Sequence, residues 1–99
     1  RKRNRQTKQD VLYLNIQREY FDQISTLQKF YERRDITPYY RSRIEGKDIK
    51  RIWFMNGMQS TSRQILVEVL GLQMTSTQYV FQLGKIISQD ISEIDNLVH

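Results

Sequence analysis

Residues 39–55 read Tyr39-Tyr40-Arg41-Ser42-Arg43-Ile44-Glu45-Gly46-Lys47-Asp48-Ile49-Lys50-Arg51-Ile52-Trp53-Phe54-Met55, and the fold turns on how they pair. Both flanks, Tyr39 to Ile44 and Ile49 to Met55, are rich in aromatic and β-branched residues, which suit a pleated surface. Between them, Glu45-Gly46-Lys47-Asp48 supplies the glycine and acidic residues of a tight connection. The stretch therefore predicts a β-hairpin, with Ile44 opposite Ile49 setting the register. Cross-strand partners share a face. Tyr40, Ser42, Ile44, Ile49, Arg51 and Trp53 then lie on one side, and Arg41, Arg43 and Lys50 present cations on the other, with Lys47 at the tip.

Working outward, Val11 to Ile16 alternates, with Leu12, Leu14 and Ile16 on one side and Tyr13 and Asn15 on the other, the period of a half-buried strand. A helix is expected from Gln17 to Arg34, on a stripe of Tyr20, Ile24, Leu27 and Tyr31 widened by Phe21 and Phe30. Ser25 and Thr26 leave open two shorter helices with Ser25 as a cap. Pro38 pushes Thr37 out of helical geometry and ends the segment. After an Asn56-Gly57 turn, a helix capped by Ser60 or Ser62 is expected to run to Gly71, with Ile65, Leu66, Val69 and Leu70 inward. A last helix, capped by Thr75 or Ser76, carries Val80, Leu83, Ile87, Ile91 and Ile94 at helical spacing. Its length makes its C-terminal half a candidate homodimer surface. Arg63 to Ile87 also has the outline of a helix-turn-helix, from whose second helix Thr75, Ser76, Thr77, Gln78 and Gln82 would face outward.

Charge is divided unevenly along the 99 residues. Residues 1–51 hold 14 Lys/Arg against 7 Asp/Glu, whereas residues 52–99 hold only Arg63 and Lys85 against four acids. Self-repulsion opposes placing charge this way for folding alone, so the basic half points to a polyanionic partner, nucleic acid first. Arg1, Lys2, Arg3, Arg5 and Lys8 form a basic arm over residues 1–10, and residues 11–99 are read as a single domain. Such an arm binds phosphates by counterion release. There is no cysteine, which excludes disulfides and cysteine-ligated metals. The one histidine, His99, and four isolated glycines offer no triad, histidine metal site or phosphate loop. No cofactor, metal or catalytic residue is expected. No apolar run reaches the ~20 residues of a membrane span and no signal-peptide core is visible, so the chain reads as soluble and cytoplasmic with no membrane partner.

The order strand at 11–16, helix or helix pair at 17–34, and hairpin at 39–55 resembles the winged helix-turn-helix family, at the level of pattern. The expectation is an α+β domain: strand, helix or helix pair, β-hairpin wing and two C-terminal helices. The resemblance makes Arg41, Arg43, Lys47, Lys50 and Arg51 wing residues and Thr26 to Arg34 a recognition helix carrying Gln28, Lys29, Arg33 and Arg34. Arg3 and Arg5 would add arm contacts to DNA. Size, basicity and composition also look like small plasmid-encoded accessory proteins of conjugation. That likeness implies a homodimer on double-stranded DNA at an origin of transfer, beside a separate relaxase. A transcriptional or replication regulator is physically the same object. Two other readings stand beside it. RNA binding would use Tyr39, Tyr40, Trp53 and Phe54 as stacking platforms, and a protein adaptor would use the apolar C-terminal helix.

Overall fold

Strand β1 (Val11–Asn15) forms where the alternation places it: Leu12, Leu14 and the following Ile16 are buried, and Tyr13 and Asn15 face solvent. The computed structural model describes residues 10–59 and 61–89. Beyond β1 the described elements run α1 (Arg18–Ser25), β2 (Tyr31–Asp35), α2 (Pro38–Ile44), β3 (Arg51–Asn56), β4 (Arg63–Met74) and β5 (Gln78–Gln89). The five strands make one mixed sheet in the order β1-β3-β4-β5-β2. β1 runs parallel to β3, and every other neighbouring pair is antiparallel. This is a strand-rich α+β domain with two short helices, not a winged helix-turn-helix with two C-terminal helices.

The hairpin expected at 39–55 is not formed, because Thr37-Pro38 starts a helix as well as ending the preceding segment. Thr37 is extended, its hydroxyl oxygen accepts from the Tyr40 amide at 3.2 Å, and Pro38 occupies the first turn. There its missing N–H leaves no bond unmade, since the first amides of a helix have no partner inside it. Gly46, at φ +79, lies just past the helix end in a conformation that favours glycine. β3 then pairs with β1 and β4, with Ile52 and Phe54 inward.

The long helix expected over 17–34 stops at Ser25. The amide of Gln28 donates to Gln23 O at 2.7 Å and that of Leu27 to Ile24 O at 3.0 Å, a Schellman closure with Leu27 in the left-handed region at φ 61. The chain then enters β2, so the segment from Thr26 to Arg34 contains no recognition helix. Leu27, Phe30 and Tyr31 of the supposed stripe are exposed.

The two C-terminal helices are replaced by the β4–β5 hairpin, which also removes the helix-turn-helix outlined over 63–87. Ile65 and Val67 alternate inward on β4, and Tyr79, Phe81 and Leu83 on β5. Thr75 closes the turn: its amide donates to Gln78 O at 2.8 Å, and its hydroxyl accepts from the Gln78 amide at 2.9 Å. The homodimer surface was expected on a helix through Val80, Leu83 and Ile87, which are strand residues. Ile91, Ile94 and His99, like the arm with Arg3 and Arg5, lie outside the described residues.

Phe21 and Ile24 of α1 and Ile44 of α2 join the inward residues of the sheet in one buried cluster, so both helices cover the same face. Among the described residues the opposite face has no helix on it. The sheet curls, with register shifts in β4–β5. Its two edge strands come close enough that Arg34 Nη2 on β2 donates to Asn15 O on β1 at 3.0 Å.

Candidate nucleic-acid interface

Asp10, just before β1, ties the head of that strand to the basic α2–β3 connection. Its carbonyl oxygen accepts from the Lys50 amide at 2.8 Å and the Arg51 amide at 3.1 Å, and its carboxylate pairs with Arg51 Nη2 at 2.9 Å. Lys47 Nζ turns back to donate to Ser42 O at 2.8 Å, and Arg43 lies over the Tyr39 ring at 4.2 Å, so both stand at the C-terminal end of α2. Lys47, Asp48, Ile49 and Lys50 line an open groove of 290 Å³ against Val69 to Leu72, where β4 has run past the end of β3.

Many of the expected site cations are already paired. Arg41 meets Glu45 at 3.2 Å, Lys50 meets Asp48 at 3.1 Å and Arg51 meets Asp10. Arg43 and Lys47 are left without a carboxylate partner among the described residues. The pairs of Arg41 and Lys50 are well exposed, so water and salt screen them and a phosphate can compete. The described residues together carry 11 Lys/Arg against 8 Asp/Glu, so most of the chain's excess positive charge lies in residues 1–8.

Lys29, Arg33 and Arg34, expected beside a recognition helix, lie instead on or before the edge strand β2. Arg33 faces solvent. Arg34 is drawn inward to Glu32, which is 5% exposed and the only buried charged residue among those described. Glu32 Oε2 accepts from Arg34 Nε at 2.7 Å, and Lys29 Nζ stands 3.5 Å from Glu32 Oε1. The guanidinium also donates to Tyr40 Oη at 2.8 Å and to Asn15 O. Burial opposes its charge, but the Glu32 carboxylate and the Tyr40 hydroxyl outweigh that, and Arg34 holds its proton more firmly than a free arginine. Arg34 thus staples β2 to β1 across the curled sheet, and Lys29 adds a local pair to the same carboxylate.

The four aromatic residues expected as a platform are separated. Phe54 is fully buried, Tyr39 and Tyr40 pack edge to face on α2 at 5.0 Å, and Trp53 points to the helix-free face. There it stands beside Tyr13, its register partner, with ring centroids 6.2 Å apart. Trp53 Nε1 donates to Gln64 Oε1 at 2.7 Å, which fixes the indole. Tyr13 was legible only as a residue on the outer side of β1; that β3 would be its neighbour required the parallel pairing. Among the described residues no three His, Cys, Asp or Glu side chains gather as a metal site. No described helix is long and apolar enough to cross a membrane. Compared with known proteins, the chain matches no protein-family model and no curated sequence.

Proposed function

We propose that this protein is a non-catalytic nucleic-acid-binding domain whose folded body grips phosphates at the corner where Asp10, just before β1, meets the α2–β3 connection. One observation carries the reading: Asp10 accepts from the amides of Lys50 and Arg51, so the head of β1 lies against the basic connection that holds Lys47 and Lys50. Arg43, Lys47 and Lys50 are the residues of the folded body that supply contacts, and Arg1, Lys2, Arg3, Arg5 and Lys8 the bulk of the charge. Binding of this kind is dominated by counterion release and neutralises the backbone without reading bases. The conjugation role drew on size, basicity and composition alone, so the reading is kept biochemical.

The test is fluorescence anisotropy with labelled random duplex, single-stranded DNA and RNA over a salt series. Affinity is expected to fall steeply with salt. Replacing Arg43, Lys47 and Lys50 together by alanine should lower the magnitude of the log–log salt slope by about 2 to 3, roughly one per lost phosphate contact. Salt-independent binding, or an unchanged slope in the triple variant, overturns the assignment.

A further inference from the structure

Strand β4 outruns its neighbour β3. The last register row between them pairs Glu68 with Arg51, and the Val69 amide still donates to Lys50 O at 2.8 Å. From Leu70 to Met74 the β3 side of the strand has no partner among the described residues. On the β5 side the register is regular from Gly71 to Met74, and the Thr75 amide bonds to Gln78 O. Bonded and unbonded rows alternate in an antiparallel pair. Gly71 and Gln73 therefore bond to β5, while the amides and carbonyls of Leu72 and Met74 point to the open side. The side chains of these two residues share the face of their row partners, Phe81 and Tyr79, which are buried, yet they stay 40% and 56% exposed.

Open sheet edges are ordinarily guarded by charge, shortness, bulges or a cover. β2 carries Glu32, Arg33, Arg34 and Asp35, and β1 is five residues long with its last carbonyl held by Arg34. The open half of β4 has no such guard. No charged residue occurs from Val69 to Gly84, and the bulges of the strand lie before Gly71.

From this edge we infer that the protein forms a homodimer in which β4 pairs antiparallel with β4 of a second copy, about a two-fold axis at Gln73. In that register Leu72 lies opposite Met74 of the other copy, Met74 opposite Leu72, and Gln73 opposite itself, as an isologous interface requires. Leu72 and Met74 are the residues whose backbone groups are free, so both rows close with bonds in each direction. Their side chains meet on one face as a four-residue apolar cluster, and the two Gln73 amides meet on the other. The turn Thr75-Ser76-Thr77 of each copy then comes to the open groove between residues 47–50 and 69–72 of the other, which leaves room for it. Charge names the occupant. A chain of net charge +5 repels its own copies, and the uncharged stretch is where two of them meet at least cost. The inference does not depend on the nucleic-acid reading.

Sedimentation velocity of the full chain from about 1 μM to about 1 mM tests it, a range suited to an edge much smaller than a standard interface of roughly 1,600 Å². The weight-average mass is expected to rise from 12.0 kDa toward twice that and no further. The amides of Leu72 and Met74 should exchange hydrogen more slowly as concentration rises. Gln73→Lys and Gln73→Glu, at an exposed position, should each weaken the dimer. An equimolar mixture of the two should associate about 5-fold or more tightly than either alone, because it sets opposite charges across the axis. A monomer at every concentration overturns the inference. Free exchange at Leu72 and Met74 would then leave the edge to a strand of another protein, and protection that ignores concentration would assign it to a segment of this chain beyond the described residues. A dimer indifferent to charge at residue 73, or growth past the dimer, overturns it as well.

Discussion

Glu32→Gln is the substitution that probes the curl of the sheet most directly. The carboxylate is 5% exposed and faces two cations whose side chains are only 17% (Arg34) and 21% (Lys29) exposed. Glutamine keeps the shape and one acceptor oxygen but removes the counter-charge, leaving the Arg34 guanidinium with Tyr40 Oη and Asn15 O as its remaining partners. Removing one member of a fully buried ion pair costs roughly 3–5 kcal/mol. Because Arg34 and Lys29 retain some contact with water, the expected loss here is about 2–3 kcal/mol. For a domain near 100 residues that lowers the melting temperature by roughly 10–20 °C. Urea unfolding followed by Trp53 fluorescence, with thermal melts by circular dichroism, measures it. Asp48→Asn, which removes the exposed partner of Lys50 (side chains 63% and 83% exposed), is the control and should stay within ~0.5 kcal/mol. Added salt should erase what the control loses and barely alter the Glu32 effect. If Glu32→Gln falls within ~0.5 kcal/mol of wild type, the staple does not hold the edge strands and the reasoning fails.

Two further outcomes follow from local structure. Burial raises the ionisation of the Tyr79 hydroxyl above that of free tyrosine, and its 2.7 Å bond to Glu45 raises it further, against a smaller opposing pull from Arg41. The folded state therefore keeps this proton after the unfolded chain has begun to lose it. Stability from this group is complete below about pH 10 and declines as pH rises above it. Unfolding free energy measured from about pH 9 to 11 should fall more steeply for wild type than for Tyr79→Phe, and parallel profiles would refute it. Leu27, exposed and left-handed, should be better replaced by glycine than by alanine. Both variants lose the same side-chain packing, but only glycine relieves a conformation worth about 1–2 kcal/mol, offset by roughly 0.5–1 kcal/mol of unfolded-chain freedom. A Leu27→Gly melt no higher than that of Leu27→Ala would show that the turn is not strained.

Strand β1 was legible because its inward side chains are aliphatic and its outward ones are not. β2 was hidden for the opposite reason. Its inward positions are Glu32 and Arg34, and its outward ones include Tyr31, so Tyr-Glu-Arg-Arg-Asp carries no apolar alternation and its tyrosine completes a false helical stripe with Ile24 and Leu27. In β4, Ile65-Leu66-Val67 is continuously apolar, which fits a buried strand or a buried helix until the β-branched residues at inward positions are weighed. β5 buries Val80 as well as Tyr79 and Phe81, and so supplies a helix-like spacing from residues that belong to both faces. The Thr37-Pro38 pair reads as a stop, although the same two residues begin α2. Of the expected interface, the basicity of 41–51 was readable, and its contact with Asp10 was not, because that depends on a parallel pairing across forty residues.

The two departures from an ordinary half-buried sheet have separate causes. A five-stranded sheet that curls until its edge strands meet leaves a seam between β1 and β2, and aliphatic side chains there cannot supply a partner for Asn15 O. Glu32, Arg34 and Tyr40 fill it with groups that bond across the gap, which places charge on the inner face. Strand alternation turns the row Tyr13, Trp53 and Leu66 to the side opposite the helices. There the Tyr13 ring meets that of Trp53 at 6.2 Å between centroids, and Gln64 holds the indole from the neighbouring strand. A cross-strand aromatic pair of this kind supports the β1–β3 contact from outside while Tyr13 stays 60% exposed, so the sheet itself accounts for the row.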